Sequence, residues 1–281
     1  MTTPADRLTS YSRSGLTFDV RDEGPADGPV VVLLHGFPQD SSSWDQLAPL
    51  LHARGFRTVA PDQRGYSPGA RPKARWAYRG SELAADTVAL IDALGVGKVH
   101  LVGHDWGAAV AWQVAAERPD LLDTVTAVSV PHPLAFVKAM VTSTQGLKSW
   151  YMGAFQLPFV PEKILSSTSA GEKFLISSGQ TPENARRDLN AMLAPGRLRG
   201  GLNWYRAMWM TKPNPATARV TVPTLHVWSD GDAAIGPKGS ALTHAFVDGP
   251  YRFEVLRGVS HWIPDEAPTE LDRLLGEHFS S

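Results

Sequence analysis

The sequence predicts an α/β protein: a mostly parallel, twisted sheet flanked by helices, with an inserted helical cap domain. Two observations predict this fold class. Short apolar segments alternate with helical ones along most of the chain, as in parallel strands that are buried on both faces by crossover helices. A long helical stretch then interrupts this alternation before it resumes.

The elements can be placed along the chain from their patterns. Apolar or alternating residues predict strands at residues 30–34, 57–60, 98–102, 122–130, 224–229 and 252–256. Helical periodicity predicts helices at residues 83–94, 108–116 and 269–279. Glycine or proline closes most of these elements, which is typical of their ends.

Residues 134–219 form the interruption. This stretch is helical in pattern, rich in aromatic residues and punctuated by prolines, namely Pro158, Pro161, Pro182, Pro195, Pro213 and Pro215. Strand-like alternation resumes at Val220, so residues 1–133 and 220–281 are predicted to form one discontinuous core domain, with 134–219 as the cap domain. A site between core and cap would be shielded from water.

The composition favours a small neutral ligand. The chain has 281 residues, 43% hydrophobic content and a net charge of −1 without a basic or acidic block, so we expect no nucleic-acid or membrane partner. The absence of cysteine excludes disulfides, thiol catalysis and zinc sites of the cysteine type. The histidines and carboxylates show no metal-ligand spacing, so we expect no metal and no cofactor. A cytoplasmic location is expected because no apolar leader or membrane-length run is evident.

Asp105 lies at the centre of the most informative motif, Gly-His-Asp-Trp-Gly at residues 103–107. The motif stands between a predicted strand and a predicted helix, which is the context of a nucleophile elbow, and it carries aspartate where serine is usual. A carboxylate can displace a leaving group from a saturated carbon and form an ester that water then hydrolyses. We therefore predict Asp105 as the nucleophile, although the turn alone would also suit a capping aspartate.

A base and an orienting acid follow in the C-terminal third. His261 comes after the strand at 252–256, which places it at the carboxyl edge of the sheet, where Asp105 also emerges. The strand at 224–229 ends in two acids; we predict Asp232 as the partner of His261 and expect Asp230 to cap the following turn. The chain order of nucleophile, acid and histidine is that of α/β-hydrolase triads.

Backbone donors for an oxyanion are expected beside the elbow. The sequence His-Gly-Phe-Pro at residues 35–38 follows the first buried strand and supplies a glycine-bearing loop. The predicted donors are the N–H groups of Phe37 and Trp106, since Pro38 has none. His35 and His104 are expected to brace loops through backbone hydrogen bonds.

On these motifs the chain resembles the epoxide hydrolases of the α/β-hydrolase superfamily, of the soluble microbial type, over nearly its full length. The motifs are His-Gly-Phe-Pro at 35–38, Pro-Asp-Gln-Arg-Gly-Tyr-Ser at 61–67, the elbow at 103–107, and His261-Trp262. The resemblance implies that Asp62 and Arg64 are structural. It also implies that Tyr151 and Tyr205, at the positions of the family's two ring-opening tyrosines, donate a proton to the epoxide oxygen.

The resemblance further implies a substrate, its contacts and its co-reactant. A small apolar epoxide would react with water, and Phe37, Trp106, Trp150 and Trp262 would contact it. The oligomeric state stays open, with a homodimer as one option.

Two other functions remain open. A haloalkane dehalogenase would use the same aspartate, with the indole of Trp106 and one of Trp150, Trp204 or Trp209 as halide donors. Against it, Phe37 stands where many dehalogenases carry Asn, and Trp106 where fluoroacetate dehalogenases carry Arg. A non-catalytic ligand receptor of the same fold is the third reading, but no triad member is missing.

Overall fold

Eight strands form one sheet in the computed structural model, which describes residues 7–210 and 219–280. They are β1 (Ser10–Arg13), β2 (Leu16–Glu23), β3 (Val30–Leu34), β4 (Arg57–Pro61), β5 (Val99–His104), β6 (Leu122–Val128), β7 (Thr224–Ser229) and β8 (Tyr251–Leu256). The spatial order is β1-β2-β4-β3-β5-β6-β7-β8. β2 is antiparallel to both β1 and β4, and all pairs from β3 onward are parallel.

Helices follow most strands. They are α1 (Ala48–Ala53), α2 (Gly80–Leu94), α3 (Trp106–Glu117), α4 (Pro133–Thr142), α5 (Gln145–Lys148), α6 (Trp150–Ala154), α7 (Val160–Leu165), α8 (Thr168–Ser177), α9 (Pro182–Met192), α10 (Arg197–Ala207), α11 (Pro237–Leu242), α12 (Ile263–Glu266) and α13 (Pro268–Phe279). Among the described residues, no helix is both long and apolar enough to cross a bilayer.

The predicted fold class is confirmed, with one omission. Each of the six predicted strands is present, and their ends differ by a few residues. The β1–β2 hairpin was not predicted, although Phe18 and Val20 are buried on one face of β2 and alternate with polar residues. The charges at the end of β2 obscure that alternation in the sequence.

The order in which strands are added to the sheet changes direction at β3. After β3 the chain adds β4 on one side, and it then returns to add β5 on the other side. The loops after β3 and β5 therefore start side by side at the carboxyl edge of the sheet. Open α/β sheets bind ligands at such a switch point, and here it brings the loop at residues 35–38 next to Asp105.

The helices α4 to α10, hereafter the helical insertion, lie between β6 and β7 in the chain, and residues 133–210 contain no strand. Buried rings of the helical insertion, including Phe155, Trp204 and Tyr205, belong to the same apolar cluster as the strands. The division into core and cap domains at 134 and 219 stays a prediction. Pro213 and Pro215 lie outside the described residues.

Candidate active site

Asp105 occupies a strained turn between β5 and α3. Its φ of 52° and ψ of −120° lie in a region that residues other than glycine rarely adopt. The neighbouring backbone leaves no room for side chains: a Cβ on Gly107 would lie 2.0 Å from the carbonyl oxygen of Leu34, and one on Gly36 would lie 2.3 Å from the Cβ of Asp105. This geometry is that of a nucleophile elbow.

The three predicted triad residues come together at the carboxyl edge of the sheet. His261 Nε2 lies 3.4 Å from Asp105 Oδ2, and its Nδ1 lies 2.7 Å from Asp232 Oδ2. The other oxygen of Asp232 accepts hydrogen bonds from the N–H groups of Ala234 and Ile235, both at 2.7 Å. Asp232 is thus fixed by its own turn and can in turn orient the imidazole.

The pKa values of His261 and Asp105 are shifted by the charges that these side chains place next to each other. Burial by itself would lower the pKa of His261, but the carboxylates of Asp232 and Asp105 outweigh it and raise that pKa to about 10. Burial would raise the pKa of Asp105, but His261 and other groups lower it below its ordinary value. At neutral pH the pair is therefore an imidazolium beside a carboxylate.

The two oxygens of Asp105 have different surroundings. Oδ1 accepts a hydrogen bond of 2.8 Å from the N–H of Phe37. A backbone hydrogen bond from Trp106 also helps to lower the pKa of Asp105. The predicted oxyanion donors therefore already hold this carboxylate, while Oδ2 faces His261.

Side chains brace the loop that carries His261. Its carbonyl oxygen accepts hydrogen bonds from Ser129 Oγ at 2.8 Å and from His104 Nε2 at 2.9 Å. The bracing role expected for His104 is confirmed. The expectation for Asp230 is wrong, because its carboxylate accepts from the N–H of Gly258 at 2.7 Å and so ties this same loop instead of capping the turn after it.

His35 also has the expected bracing role. Its Nε2 accepts from the N–H of Gln63 at 3.1 Å, and the Gln63 amide donates back to the His35 carbonyl at 2.6 Å. The two loops that follow β3 and β4 are thereby tied together beneath the site.

Tyr151 and Tyr205 lie together within the electrostatic reach of Asp105. The ring of Tyr205 packs edge-on against Phe37 and Trp106, with centroid distances of 5.4 and 5.1 Å, and 6.1 Å from the ring of Tyr151. Burial and then the negative charge of Asp105 raise the pKa of both phenols. A hydrogen bond with Trp106 partly offsets this shift for Tyr205. Since an indole can only donate, this hydrogen bond does not use the hydroxyl proton of Tyr205.

The predicted tryptophans differ in placement. The ring centroid of Trp262 lies 5.3 Å from that of His261, and its indole donates to Ser178 Oγ at 3.2 Å. Trp150 is 66% exposed, on the outside of α6, whereas the next residue, Tyr151, points inward. This placement corrects the expectation that Trp150 contacts the substrate.

Gln145 and Lys148 of α5 form hydrogen bonds with the turn that carries Asp232. The sequence did not predict a role for either residue at this site. The Gln145 amide donates to the carbonyl of Ala234 at 2.8 Å and accepts from the N–H of Gly236 at 2.7 Å. Lys148 Nζ donates to the carbonyl of Asp232 at 3.1 Å. No local pattern marks these residues, because the Gln145 contact with Ala234 spans 89 positions of the chain.

Comparison with known proteins agrees with this architecture. Residues 29–268 match a family model described as the alpha/beta hydrolase fold. The chain is 36% identical to the AB hydrolase superfamily protein YfhM of Bacillus subtilis (strain 168), covering 95% of this chain and 96% of that one. It is 32% identical to epoxide hydrolase A of Mycobacterium tuberculosis, covering 99% and 98%. The crystal structure of epoxide hydrolase A from Mycobacterium thermoresistibile superposes with a TM-score of 0.82 at 29% identity, covering 96% of each chain.

The chain is a member of the α/β-hydrolase superfamily and, within it, belongs to the epoxide hydrolase family. The resemblance drawn from the motifs is thereby confirmed. The chain is accordingly an enzyme of the hydrolase class.

Proposed function

We propose that this enzyme opens a small apolar epoxide to a vicinal diol through a covalent ester of Asp105. The observation that carries the proposal is the arrangement around that residue: Oδ1 faces the N–H of Phe37, Oδ2 faces His261, and two protonated tyrosines lie nearby. The family's named members support the same reaction class.

In the first step, Asp105 Oδ2 attacks one carbon of the epoxide. The carbon–oxygen bond of the ring breaks and its electron pair stays on the oxygen, which receives a proton from Tyr151 or Tyr205 while the other tyrosine hydrogen-bonds to it. The raised pKa of both phenols keeps them protonated until alkoxide charge develops. The product is a hydroxyalkyl ester of Asp105.

In the second step, His261 activates water. Formation of the ester removes the charge of Asp105, which is one cause of the raised pKa of His261, so the imidazolium can give up its proton and become a base. That proton restores the tyrosine that protonated the epoxide oxygen. Water attacks the Cγ of Asp105, and the oxyanion on Oδ1 is held by the N–H groups of Phe37 and Trp106. The ester bond breaks, and the leaving alkoxide takes the proton that His261 removed from water, so the diol leaves. The second proton of that water, now on the carboxyl group of Asp105, passes to His261 and regenerates the carboxylate and the imidazolium.

The indole groups argue against halide binding. The indole N–H of Trp204 is already bound to the carbonyl of Arg64 at 2.8 Å, and Trp150 and Trp209 are 66% and 65% exposed. A pair of indoles converging on one halide is therefore not formed by Trp106 and any of these three. For an epoxide, we propose that Phe37, Trp106 and Trp262 contact the substrate.

The first experiment incubates the purified enzyme with styrene-oxide-like epoxides and, in parallel, with 1-haloalkanes, and records diol and halide. Diol without halide supports the proposal, and halide release would reassign the enzyme as a dehalogenase. Turnover in neither assay would favour a substrate outside this panel or the receptor reading.

The covalent step has its own test. We expect His261→Gln to accumulate the ester, seen by mass spectrometry as the enzyme mass plus that of the epoxide, and Asp105→Ala to show neither ester nor turnover. His244→Gln, at an exposed histidine, is the control and should turn over normally. Normal turnover by His261→Gln with no trapped ester would show that the proposed base is wrong.

A further inference from the structure

Large apolar side chains are exposed together on one part of the helical insertion. We call this group the insertion surface; it consists of Leu157, Phe159, Val160, Ile164, Trp209 and Met210. Phe159 is 83% exposed and Trp209 is 65% exposed. Exposed apolar groups on this scale are unusual unless they meet a partner or a membrane.

Arg206 holds the parts of the insertion surface together. Its guanidinium donates to the carbonyls of Phe155 and Leu157 at 3.0 and 2.9 Å and pairs with Glu162 at 2.6 Å. Trp209 and Met210 follow Arg206 in the chain by less than five residues. The segment at 157–164 and the end of α10 therefore share one corner of the molecule.

Positive charge is concentrated in the stretch of chain that includes this corner. Residues 134–219 contain eleven lysines and arginines against four acidic residues, whereas the rest of the chain contains sixteen against twenty-four. Lys163 of α7 and Lys173 of α8 lie on two helices that pack against each other; both are exposed, and no carboxylate among the described residues pairs with them. The net charge of −1 is the sum over a basic and an acidic part of the chain. For this reason the net charge alone did not predict a membrane partner.

We propose that the insertion surface docks onto the anionic surface of a phospholipid bilayer. Aromatic side chains favour the headgroup region, apolar ones enter the acyl boundary, and nearby lysines are attracted to anionic headgroups. A symmetric dimer through the same surface would place one basic segment against its copy, and like charges would oppose it. The proposal does not depend on the epoxide reaction.

Vesicle flotation tests the proposal directly. We expect the full-length enzyme to bind phosphatidylcholine vesicles containing phosphatidylglycerol about tenfold more strongly than pure phosphatidylcholine vesicles. Raising the salt concentration should weaken this binding because it screens the charges. Two double variants, Phe159→Ser with Trp209→Ser and Lys163→Glu with Lys173→Glu, should each lose most of the binding while retaining the wild-type basal activity and melting temperature.

The matched control is Val96→Ser with Lys98→Glu. It removes one exposed apolar and one exposed basic residue just before β5, at the edge of the sheet opposite Asp105, and should bind vesicles like the wild type. Absence of vesicle binding, equal binding to both kinds of vesicle, or equal loss in the control would overturn the proposal. So would a dimer, detected by light scattering, that the Phe159 and Trp209 variant dissociates, because the insertion surface would then join two copies.

Discussion

At the residue scale, Asp105 and His261 control each other's charge. The two carboxylates around the imidazole raise the pKa of His261 to about 10 despite burial, which lowers it. Asp105→Asn removes one of these charges, so we predict that the pKa of His261 falls in that variant. A titration of the imidazole followed by ¹H–¹⁵N NMR measures the change.

The control for this titration is Asp230→Asn, whose carboxylate binds Gly258 and not the imidazole. The protonation state of His261 should also determine how the reaction rate depends on pH. In the proposed mechanism, hydrolysis of the ester requires neutral His261, so its rate should rise with pH through a pKa that lies below the value of about 10 in the resting enzyme. An unchanged pKa in Asp105→Asn would contradict the ion pair.

The two tyrosines should act in ring opening only. General acid catalysis typically contributes about 10²–10⁴-fold, so we predict a loss of that order in the alkylation rate of the Tyr151→Phe, Tyr205→Phe double variant. Each single variant should lose less, since one phenol remains. Single-turnover kinetics separates alkylation of Asp105 from hydrolysis of the ester, which should be unchanged.

Tyr78→Phe is a matched control for this experiment. Tyr78 is also buried, and its hydroxyl donates to the carbonyl of Pro72 at 2.9 Å. It should alkylate at the wild-type rate. A slowed hydrolysis step in the tyrosine variants, with alkylation intact, would assign the phenols a different role.

At the scale of elements, α5 connects the helical insertion to the turn that carries Asp232, whose carboxylate is hydrogen-bonded to His261. The side-chain amide of Gln145 donates to the carbonyl of Ala234 and accepts from the N–H of Gly236. The carboxylate of Asp232 accepts from the N–H groups of Ala234 and Ile235 in the same turn. Tyr151 follows Gln145 by six residues. The contacts of α5 thus position the acid and the first tyrosine relative to each other.

Gln145→Leu keeps the approximate size of the side chain but removes both hydrogen bonds to the turn. We predict that it slows ester hydrolysis, because Asp232 is held less firmly against His261, and that the pKa of His261 falls with it. Lower thermal stability with an unchanged hydrolysis rate and an unchanged imidazole titration would mean that Gln145 only supports the fold. Gln113→Leu, on the outer part of α3, is the control.

At the scale of the whole molecule, local patterns predicted the sheet and the grouping of Asp105, Asp232 and His261 because the signals for each element are short-range. Asp105 and His261 each follow a recognisable strand, and parallel strands bring their carboxyl ends to one edge. The orientation of Trp150 and Tyr151 could not be predicted this way, since α6 is five residues long and its two faces are chosen by packing. The partners of Gln145 depend on contacts across most of the chain.

A buried ion-pair network connects distant parts of the fold. The Arg64 guanidinium donates to both oxygens of Asp86 at 2.7 Å, and Arg13 of β1 reaches the same carboxylate at 2.9 Å. The carbonyl of Arg64 also accepts the indole N–H of Trp204 from the helical insertion. Arg64 thereby links the first hairpin, α2 and α10, in agreement with the structural role that the family resemblance implied.

Arg64→Met should therefore lower the free energy of unfolding by about 3–5 kcal/mol, because it leaves the carboxylate of Asp86 buried with only Arg13 as an ionic partner. Arg64→Met with Asp86→Leu removes both charges, and Arg13 keeps its pair with Glu82 at 3.0 Å, so we expect the double variant to regain most of that loss. Urea unfolding of the two variants measures both values. Arg273→Met, at an exposed ion pair, should change little. If the double variant is no more stable than Arg64→Met, the Arg64 side chain stabilises the fold through another contact, such as its hydrogen bond to the carbonyl of Ala77 at 3.0 Å, rather than through Asp86.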